Sequence, residues 1–463
     1  MKPLSLLVAG LPILVQPALA APLHQQHAEQ ANSVRTALEP IRALDTAHIE
    51  RCASDRLSQV ERINALEQAV RFGPAGPGFS TTTKLSGRVS MVLGSSAFLG
   101  SWSDKIAASQ RRFGGTSFNY DTKLELKTSF TGQDMLLLRL RSGNFSGSNN
   151  TFGGSGPSVL SQLEMAFQHG DQPNQWAIDR AFYRVPVGDF TFTLGPRVGQ
   201  DNLMAIFPSR YPDETLLDHT TMGGSIGAND MNLGGGFAAW WKGQNLAISA
   251  LHVSRNAASS NTQRGGLTGL GSGSSTSIQL GYDSERWSMA AIYTYSTNAA
   301  RIIPYGTPFL LSSISNPGTT QAYGLTANWS PEQSGWIPTI SAGWGRNQTH
   351  YHQLKDRQRA NGISVLAQES QSWTLAMRWD DAWIKGNQAG LAIGQPAFAT
   401  SQVGGGTTND GNFVWEAWYR FQVSDHISIT PGAFYLSRPL GQQTAQGQSF
   451  SQLGTVLKTT ITF

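Results

Sequence analysis

The sequence predicts an all-β fold, a transmembrane antiparallel β-barrel of 16 strands preceded by a short N-terminal helix. Three observations lead to this prediction. Apolar and polar residues alternate with a period of two in many segments, the connections between these segments are alternately short and long, and the last segment alternates up to the terminal Phe463. Only every second residue of a barrel strand must face lipid, so this pattern can cross a membrane at modest average hydrophobicity.

The composition excludes a helical membrane protein. Only 14% of the 463 residues are charged, against about 25% in an average soluble domain. The mean hydropathy is nevertheless −0.25, and no run of 18 apolar residues follows the N-terminal segment. A soluble, glycine-rich, exported β-sandwich is the alternative, but strands with one charged face do not fit a packed sandwich core.

Residues 1–20 have the pattern of a secretory signal peptide. Lys2 provides a basic start, Leu4 to Val15 form a short apolar run, and Ala18-Leu19-Ala20 is a cleavage site. We therefore expect an exported chain that begins at Ala21.

Residues 21–78 are predicted to form a periplasmic linker and a coiled-coil-like helix. One apolar stripe at helical spacing consists of Val34, Leu38, Ile41, Leu57, Val60, Ile63, Leu66 and Val70. Such a stripe needs a partner, either a parallel coiled coil in a homo-oligomer or the rim of the chain's own barrel. The lone Cys52 excludes an internal disulfide framework and is interpreted as a small apolar residue of this helix rather than a reactive thiol.

Residues 79–463 are predicted to form the barrel. In the clearest strand, 117–130, the even positions are mostly apolar, whereas the odd positions include Asp121, Lys123, Glu125 and Lys127. The sixteen predicted strands are 82–93, 117–130, 134–142, 176–186, 189–199, 234–242, 244–254, 275–284, 286–297, 320–329, 337–348, 369–380, 388–394, 412–424, 426–436 and 453–463.

The connections alternate between tight turns and long loops. The long loops are 94–116, 143–175, 200–233, 255–274, 298–319, 349–368, 395–411 and 437–452. Bacterial outer-membrane barrels have short periplasmic turns and long external loops, so we expect both termini on the periplasmic side of the cell outer membrane. Segment 160–168 also alternates and is assigned to a loop; counting it leads to the alternative of 18 strands.

A row of cations is expected along the lumen wall, because charge on the lipid face costs about 2–4 kcal/mol at mid-membrane. The residues in the lumen-facing register are Arg88, Lys123, Lys127, Arg139, Arg141, Arg180, Arg184, Arg378 and Arg420. Rings of such residues favour anions. Many of them are expected to pair with Asp121, Glu125, Asp179, Asp380 or Glu416, which leaves a mild anion preference.

The predicted pore constriction is loop 200–233, folded into the lumen. Its charged first half contains Asp201, Arg210, Asp213, Glu214, Asp218 and His219. The alternative is an external loop that caps the rim.

Enzyme, metal and nucleic-acid signals are weak, so we predict no enzyme activity, no catalytic residues and no cofactors. Nucleophile-elbow, zinc-protease, paired-cysteine and P-loop motifs are absent. His350 and His352 are only two ligands, which do not make a metal site. The net charge of +4 is not clustered as a nucleic-acid-binding surface requires.

Several motifs carry a family resemblance. They are Phe79-Ser80-Thr81-Thr82-Thr83-Lys84-Leu85-x-Gly87, Leu138-Arg139-Leu140-Arg141-Ser142-Gly143-Asn144-Phe145, the run from Asp179 to Asp189, and the run from Trp415 to Pro439. From about residue 50 onward the chain resembles the cyanobacterial outer-membrane porins of the carbohydrate-selective porin family. The resemblance implies a homotrimeric passive-diffusion porin, with inorganic ions as the safer substrate class, and some members are associated with iron or carbohydrate uptake.

The family usually carries an N-terminal S-layer-homology domain that binds the cell wall. About fifty residues precede the barrel here, enough for a trimerisation helix but not for that domain, so cell-wall anchoring is doubtful. The partners expected are outer-membrane lipid, two further copies held through the barrel wall and the N-terminal helix, and small hydrophilic solutes and ions.

The first hypothesis is therefore passive diffusion of small hydrophilic solutes through a water-filled barrel constricted by loop 200–233. The second is a selective uptake channel for carbohydrates or iron species, with lumen aromatics such as Trp418 as a stacking track. A structural barrel with a closed lumen and an outer-membrane hydrolase are the remaining alternatives.

Overall fold

The computed structural model describes residues 80–145, 148–211, 215–269, 271–333, 335–352 and 365–463. The predicted signal peptide, the N-terminal helix and Cys52 lie outside the described residues. The chain divides into two units, Met1–Thr81 and Thr82–Phe463, and the second is the barrel.

The barrel is closed and consists of 16 antiparallel strands, each hydrogen-bonded to its neighbours in sequence, with the first strand paired to the last. The strands are β1 (Thr83–Gly100), β2 (Ser117–Thr128), β3 (Met135–Gly143), β4 (Ala177–Val187), β5 (Phe190–Gly199), β6 (Leu233–Lys242), β7 (Leu246–Ser254), β8 (Ser274–Asp283), β9 (Trp287–Thr297), β10 (Gly318–Trp329), β11 (Thr339–Tyr351), β12 (Ala367–Asp380), β13 (Gln388–Gln402), β14 (Phe413–Ser424), β15 (Ile427–Ser437) and β16 (Phe450–Thr462). The predicted 16-strand barrel is confirmed. The 18-strand alternative is wrong, because segment 160–168 makes only one isolated bridge, between Leu163 and Leu217.

The described residues of the long loops include two α-helices. Helix α1 (Ser103–Phe113) follows β1, which extends seven residues beyond its predicted end at 93, and helix α2 (Pro308–Ile314) precedes β10. The Thr307 side chain accepts a hydrogen bond from the Leu310 amide, and Pro308 occupies the first turn, so α2 has a regular N-cap. The 3₁₀ segments are Thr151–Gly153, Val159–Ser161, Gln200–Asn202, Asp218–Met222 and Gly441–Gln443. No helix among the described residues has the length and apolar character needed to cross a membrane.

The two faces of the strands follow the predicted alternation. Phe118 on β2 is 67% exposed on the outer face, whereas its neighbour Asn119 is buried on the inner one. At the C-terminus, Phe463 exchanges backbone hydrogen bonds with Gly87 of β1, and its ring lies where a Cβ at Gly87 would be. The barrel is therefore closed up to the last residue.

Part of the lumen is filled by three long loops that fold inward. They are L2 (144–176), L3 (200–232) and L5 (298–317). Their apolar residues, including Leu160, Leu217 and Tyr305 at 0% exposure, form one core with the inner faces of β12–β16 and β1. Small wall residues make room for this packing, namely Ala367, Ala376, Ala392, Ala397 and Ala399. The hydrophobic core of the protein thus lies inside the barrel.

Candidate functional site

A cavity of about 1200 Å³ remains on the other side of the lumen, between the packed loops and the inner faces of the first strands. At the short-turn end it is bordered by Arg88 and Thr462, and at the long-loop end by Gly170 and Asn256. The cavity therefore follows the barrel axis from one end toward the other.

Six of the nine predicted wall cations border this cavity: Arg88, Lys123, Lys127, Arg139, Arg141 and Arg180. The strand register explains their arrangement. Arg88, Lys123 and Arg141 lie directly opposite one another on β1, β2 and β3, and so form one row across the wall. Residues directly paired in an antiparallel sheet share a face, so one row collects three cations.

The carboxylates of the neighbouring rows neutralise most of this charge. Arg141 Nε donates a 2.6 Å hydrogen bond to Asp121, and Arg139 Nε a 2.7 Å bond to Glu125. Further ion pairs of the wall cations are Lys127–Glu125 at 2.7 Å, Arg139–Asp179 at 3.4 Å, Arg180–Asp179 at 3.0 Å, Lys123–Glu164 at 3.7 Å, Lys123–Asp121 at 4.0 Å and Arg180–Asp201 at 3.7 Å. The pairing expected for Asp121, Glu125 and Asp179 is therefore present.

The other three predicted wall cations do not border the cavity. Arg184 donates to the Asn202 backbone oxygen of L3. Arg378 pairs with Asp380 at 2.9 Å and donates to the Arg210 backbone oxygen, also at 2.9 Å. Arg420 lies over the Trp418 ring and donates to Gln388. Arg184 and Arg378 therefore hold L3, whereas the Gln388 and Trp418 partners of Arg420 lie on β13 and β14.

Glu416 differs most from its expected role as an arginine partner. It is 1% exposed and accepts hydrogen bonds from the Tyr211 hydroxyl at 2.9 Å and from the Leu217 amide at 2.7 Å. Its carboxylate therefore fixes L3 to β14. The alternation of residues along the strand predicted correctly that this side chain faces the lumen, but it cannot reveal that a loop covers the side chain.

L3 crosses the lumen to β10–β12 and is fixed there by backbone contacts. The Arg210 amide donates to Asn328 at 2.9 Å, and the Ile226 amide donates to Ser372 at 3.1 Å. At Gly343 of β11 the loop approaches so closely that a Cβ would collide with the Gly223 carbonyl oxygen. Loop 200–233 thus folds into the lumen rather than capping the rim.

The residues predicted for the charged half of this loop have different environments. Asp201 borders the cavity and lies 3.7 Å from Arg180, whereas Arg210 pairs with Asp283 at 3.4 Å near the short-turn end. Asp218 is 6% exposed at the cavity edge, and His219 is 2% exposed and does not border the cavity. Asp213 and Glu214 lie outside the described residues.

Asp218 links the three inward loops. It accepts hydrogen bonds from Tyr305 of L5 and from Gln162 of L2, the latter at 3.2 Å. Burial, with the nearby Glu164 carboxylate, raises the pKa of Asp218 to about 7, while burial lowers the pKa of His219 to about 3. At neutral pH the Asp218 carboxyl group is therefore only partly ionised, and the His219 imidazole is neutral.

The cavity is also bordered by three cations that the sequence did not point to. Arg197 is at the end of β5, Arg255 begins the loop after β7, and Arg301 is in L5. Arg197 has the same sequence parity as Thr193, which is buried on the inner face, although β5 has a register shift between the two residues. No periodic signal marks the two loop residues, since their direction depends on how the loops fold.

In total, nine Arg and Lys side chains and six Asp and Glu side chains border the cavity. The lining is therefore polar with an excess of positive charge. No group of three or more His, Cys, Asp or Glu side chains that could hold a metal ion occurs in the described part of the chain.

No family model matches the chain. It is similar to an uncharacterized protein of Nostoc sp., 27% identical over 435 residues, which covers 87% of this chain and 69% of the relative. It is also similar to an uncharacterized protein of Synechocystis sp., 26% identical over 384 residues, which covers 78% of this chain and 66% of the relative. The chain spans about two thirds of the length of each relative.

Solved structures share the barrel. OprB of Pseudomonas putida matches with a TM-score of 0.52 at 11% identity, over 82% of this chain and 94% of that one. An anion-selective porin from Comamonas acidovorans matches with a TM-score of 0.50 at 11% identity, over 82% of this chain and 99% of that one. The resemblance to the carbohydrate-selective family stays a prediction, whereas the fold of this chain is that of the outer-membrane porins.

Proposed function

We propose that this protein is an outer-membrane porin that gives passive diffusion of small hydrophilic solutes and inorganic ions through a water-filled barrel. The observation that carries the proposal is the cavity of about 1200 Å³ that follows the barrel axis beside the packed loops. A barrel of this size keeps an aqueous channel unless its lumen is filled. Here L2, L3 and L5 fill the β12–β16 side and leave a cavity beside β1–β5.

L3 forms the constriction of this channel. Met204, Phe207 and Pro208 of L3 border the cavity on one side, and the cations of β1–β4 border the other. Because L3 is fixed to β10, β11, β12 and β14, the opening between loop and wall has a fixed width.

The channel has a mild preference for anions. Nine cationic side chains against six carboxyl groups leave a positive excess along the path, and lining cations favour anionic solutes. Most of the wall cations are paired, so the preference is partial.

The barrel lies in the cell outer membrane, with the short turns and both chain ends on the periplasmic side. Residues 1–20 are the signal peptide, residues 21–78 the periplasmic linker and helix, and residues 79–463 the porin domain. Three copies associate through the barrel wall and the helix. The support for this arrangement is the porin fold and the alternation of short turns and long loops.

Selective uptake of carbohydrates has less support. The aromatic residue proposed as a stacking surface, Trp418, is 4% exposed and donates its Nε1–H to the Tyr211 hydroxyl at 2.7 Å. It packs beneath L3 and presents no face to a passing solute.

Single-channel conductance of the purified full-length protein in planar bilayers tests the proposal. We expect stable conductance steps, solute flux that stays linear in concentration, and a reversal potential that indicates anion preference across a salt gradient. A correctly folded barrel without conductance would contradict the proposal, and saturable sugar flux would support the selective alternative.

A further inference from the structure

Three cavity-facing arginines, Arg197, Arg255 and Arg301, differ from the other wall cations. Within the described ranges, none of the three guanidinium groups forms a salt bridge or a side-chain hydrogen bond, in contrast to the paired residues of β2–β4. The Nε–H of Arg197 is also buried without an acceptor. A buried donor without a partner costs free energy, so this group needs an oxygen from elsewhere.

The three residues surround one short segment, where L3 enters β6. The Arg301 backbone oxygen accepts a 3.2 Å hydrogen bond from the Met231 amide. Val198, the residue after Arg197, pairs with Gly234, and a Cβ at Gly234 would lie 2.8 Å from the Arg255 Cα. Three arginines from three different elements thus border the cavity around residues 231–234, at its long-loop end.

The floor beneath them is rigid. Asn232 donates from its amide group to the backbone oxygens of Val253 and Gly273, both at 3.0 Å, and to the Ser275 hydroxyl at 3.1 Å. The Asp230 amide donates to Gln200 at 2.8 Å. The backbones that carry the arginines are therefore held in place before any ligand arrives, which lowers the cost of binding.

The carboxyl groups nearby do not neutralise the cluster. Asp201 pairs with Arg180. Burial raises the pKa of Asp230 to about 7. Burial also raises the pKa of Asp218 to about 7, although the positive charge of Arg301 acts in the opposite direction. Near neutral pH these two buried acids are protonated in a large fraction of molecules.

Guanidinium groups present forked N–H donors that match the oxygens of phosphate and carboxylate groups. We propose that Arg197, Arg255 and Arg301 form a binding site for a small multivalent oxyanion on the permeation path, near the long-loop end of the channel. This inference rests on the channel function proposed above. Sulfate and dianionic phosphate present four oxygens and two negative charges to several forks at once, whereas acetate presents only two oxygens and one charge.

The test is block of chloride current by inorganic sulfate in planar bilayers at about pH 6, where sulfate is dianionic and the Asp218 and Asp230 carboxyl groups are mostly protonated. In the unchanged protein we expect a saturable reduction of single-channel current by sulfate, and none by acetate at the same concentration. In the triple variant Arg197→Gln, Arg255→Gln, Arg301→Gln, the half-blocking sulfate concentration should rise about tenfold or more, since charge-assisted hydrogen bonds are lost.

The matched control is Arg264→Gln, which removes one exposed arginine of the same long loop as Arg255 without touching the cavity lining. In this control the oxyanion should block the current as it does in the unchanged protein. The single variant Arg197→Gln provides an intermediate effect if the triple variant folds poorly. Equal block in the triple variant and the control, or no block at all in a conducting channel, would overturn the site alone, whereas absence of any conductance would overturn the channel function itself.

Discussion

The Tyr211 hydroxyl donates a 2.9 Å hydrogen bond to the Glu416 carboxylate and so connects L3 to the inner face of β14. Trp418, two residues along the same strand, donates to the Tyr211 oxygen at 2.7 Å. Both aromatic side chains are buried, and their rings lie 6.0 Å apart. This contact fixes the position of L3 and, through it, the width of the proposed channel.

Replacing Glu416 by alanine should release L3 from β14. The change leaves the Leu217 amide and the Tyr211 hydroxyl without an acceptor in a buried site, which costs about 1–3 kcal/mol for each unsatisfied group. We expect a lower thermal unfolding midpoint and larger current fluctuations in single-channel recordings. The variant Tyr211→Phe removes two hydrogen bonds, the one donated to Glu416 and the one accepted from Trp418, and should cost about 1–3 kcal/mol. If the current fluctuations and the unfolding midpoint of Glu416→Ala equal those of the unchanged protein, this contact does not hold the loop.

The strand positions could be predicted from the sequence, because lipid enforces the pattern residue by residue. Lys123 and Leu124 must face opposite sides of a membrane wall whatever the rest of the chain does. The alternation of short and long connections likewise follows from local chain length, and it determined the even strand number correctly.

The filling of the lumen could not be predicted in this way. The alternation pattern does not distinguish Ala376 and Gly343 from other wall residues. Their small size nevertheless lets the inward loops pack against the wall. Glu416 has the same parity as the wall cations, and only the folded loop explains why it binds a tyrosine and an amide instead of an arginine. Such fits depend on residues that are far apart in sequence.

Gly343→Ala should displace L3 from β11. A Cβ there would collide with the Gly223 carbonyl oxygen, and L3 cannot yield easily because Gly224, with φ of +76°, is itself against the Gly343 oxygen. Overpacking of this kind costs about 1–3 kcal/mol. The conductance should change together with a lowered unfolding midpoint. Gly115→Ala is the control, since nothing lies within 4 Å of its added Cβ; the same effect in both variants would argue against a close approach at β11.

Arg139→Gln should shift the reversal potential toward cation preference. Arg139 compensates Glu125 and Asp179, and its loss removes one positive charge from the cavity wall. A unit charge about 10 Å from a permeating ion in water is worth about 0.4 kcal/mol, or about a factor of two in the permeability ratio. The measurement is the reversal potential across a salt gradient.

Two matched variants determine whether that shift comes from the cavity. Glu125→Gln should move the reversal potential in the opposite direction. Arg346→Gln breaks the Arg346–Glu369 pair, which lies outside the cavity lining, and should leave the reversal potential unchanged. A shift of equal size in Arg346→Gln would mean that surface charge, not the wall, sets the selectivity.

The packing of the inward loops should weaken as the pH rises. Burial raises the pKa of Asp218 from 3.8 to about 7, so the folded state keeps a proton that the unfolded chain would release. The stabilisation is fully present below about pH 4 and is lost as the pH rises through 7. His219 acts in the opposite sense: burial lowers its pKa from 6.5 to about 3, so its contribution is present above pH 6.5 and is lost on acidification.

Asp218→Asn should therefore flatten the pH dependence of stability between about pH 4 and 7, and the exposed Asp104→Asn on α1 should not. Part of the slope should persist, because burial also raises the pKa of Asp230 to about 7. Proteolytic sensitivity of L3 and the unfolding midpoint, each measured at about pH 5 and about pH 8, provide the readout. If Asp218→Asn keeps the full slope, the Asp218 carboxyl group does not control the packing of L2, L3 and L5, and Asp230 becomes the residue to replace next.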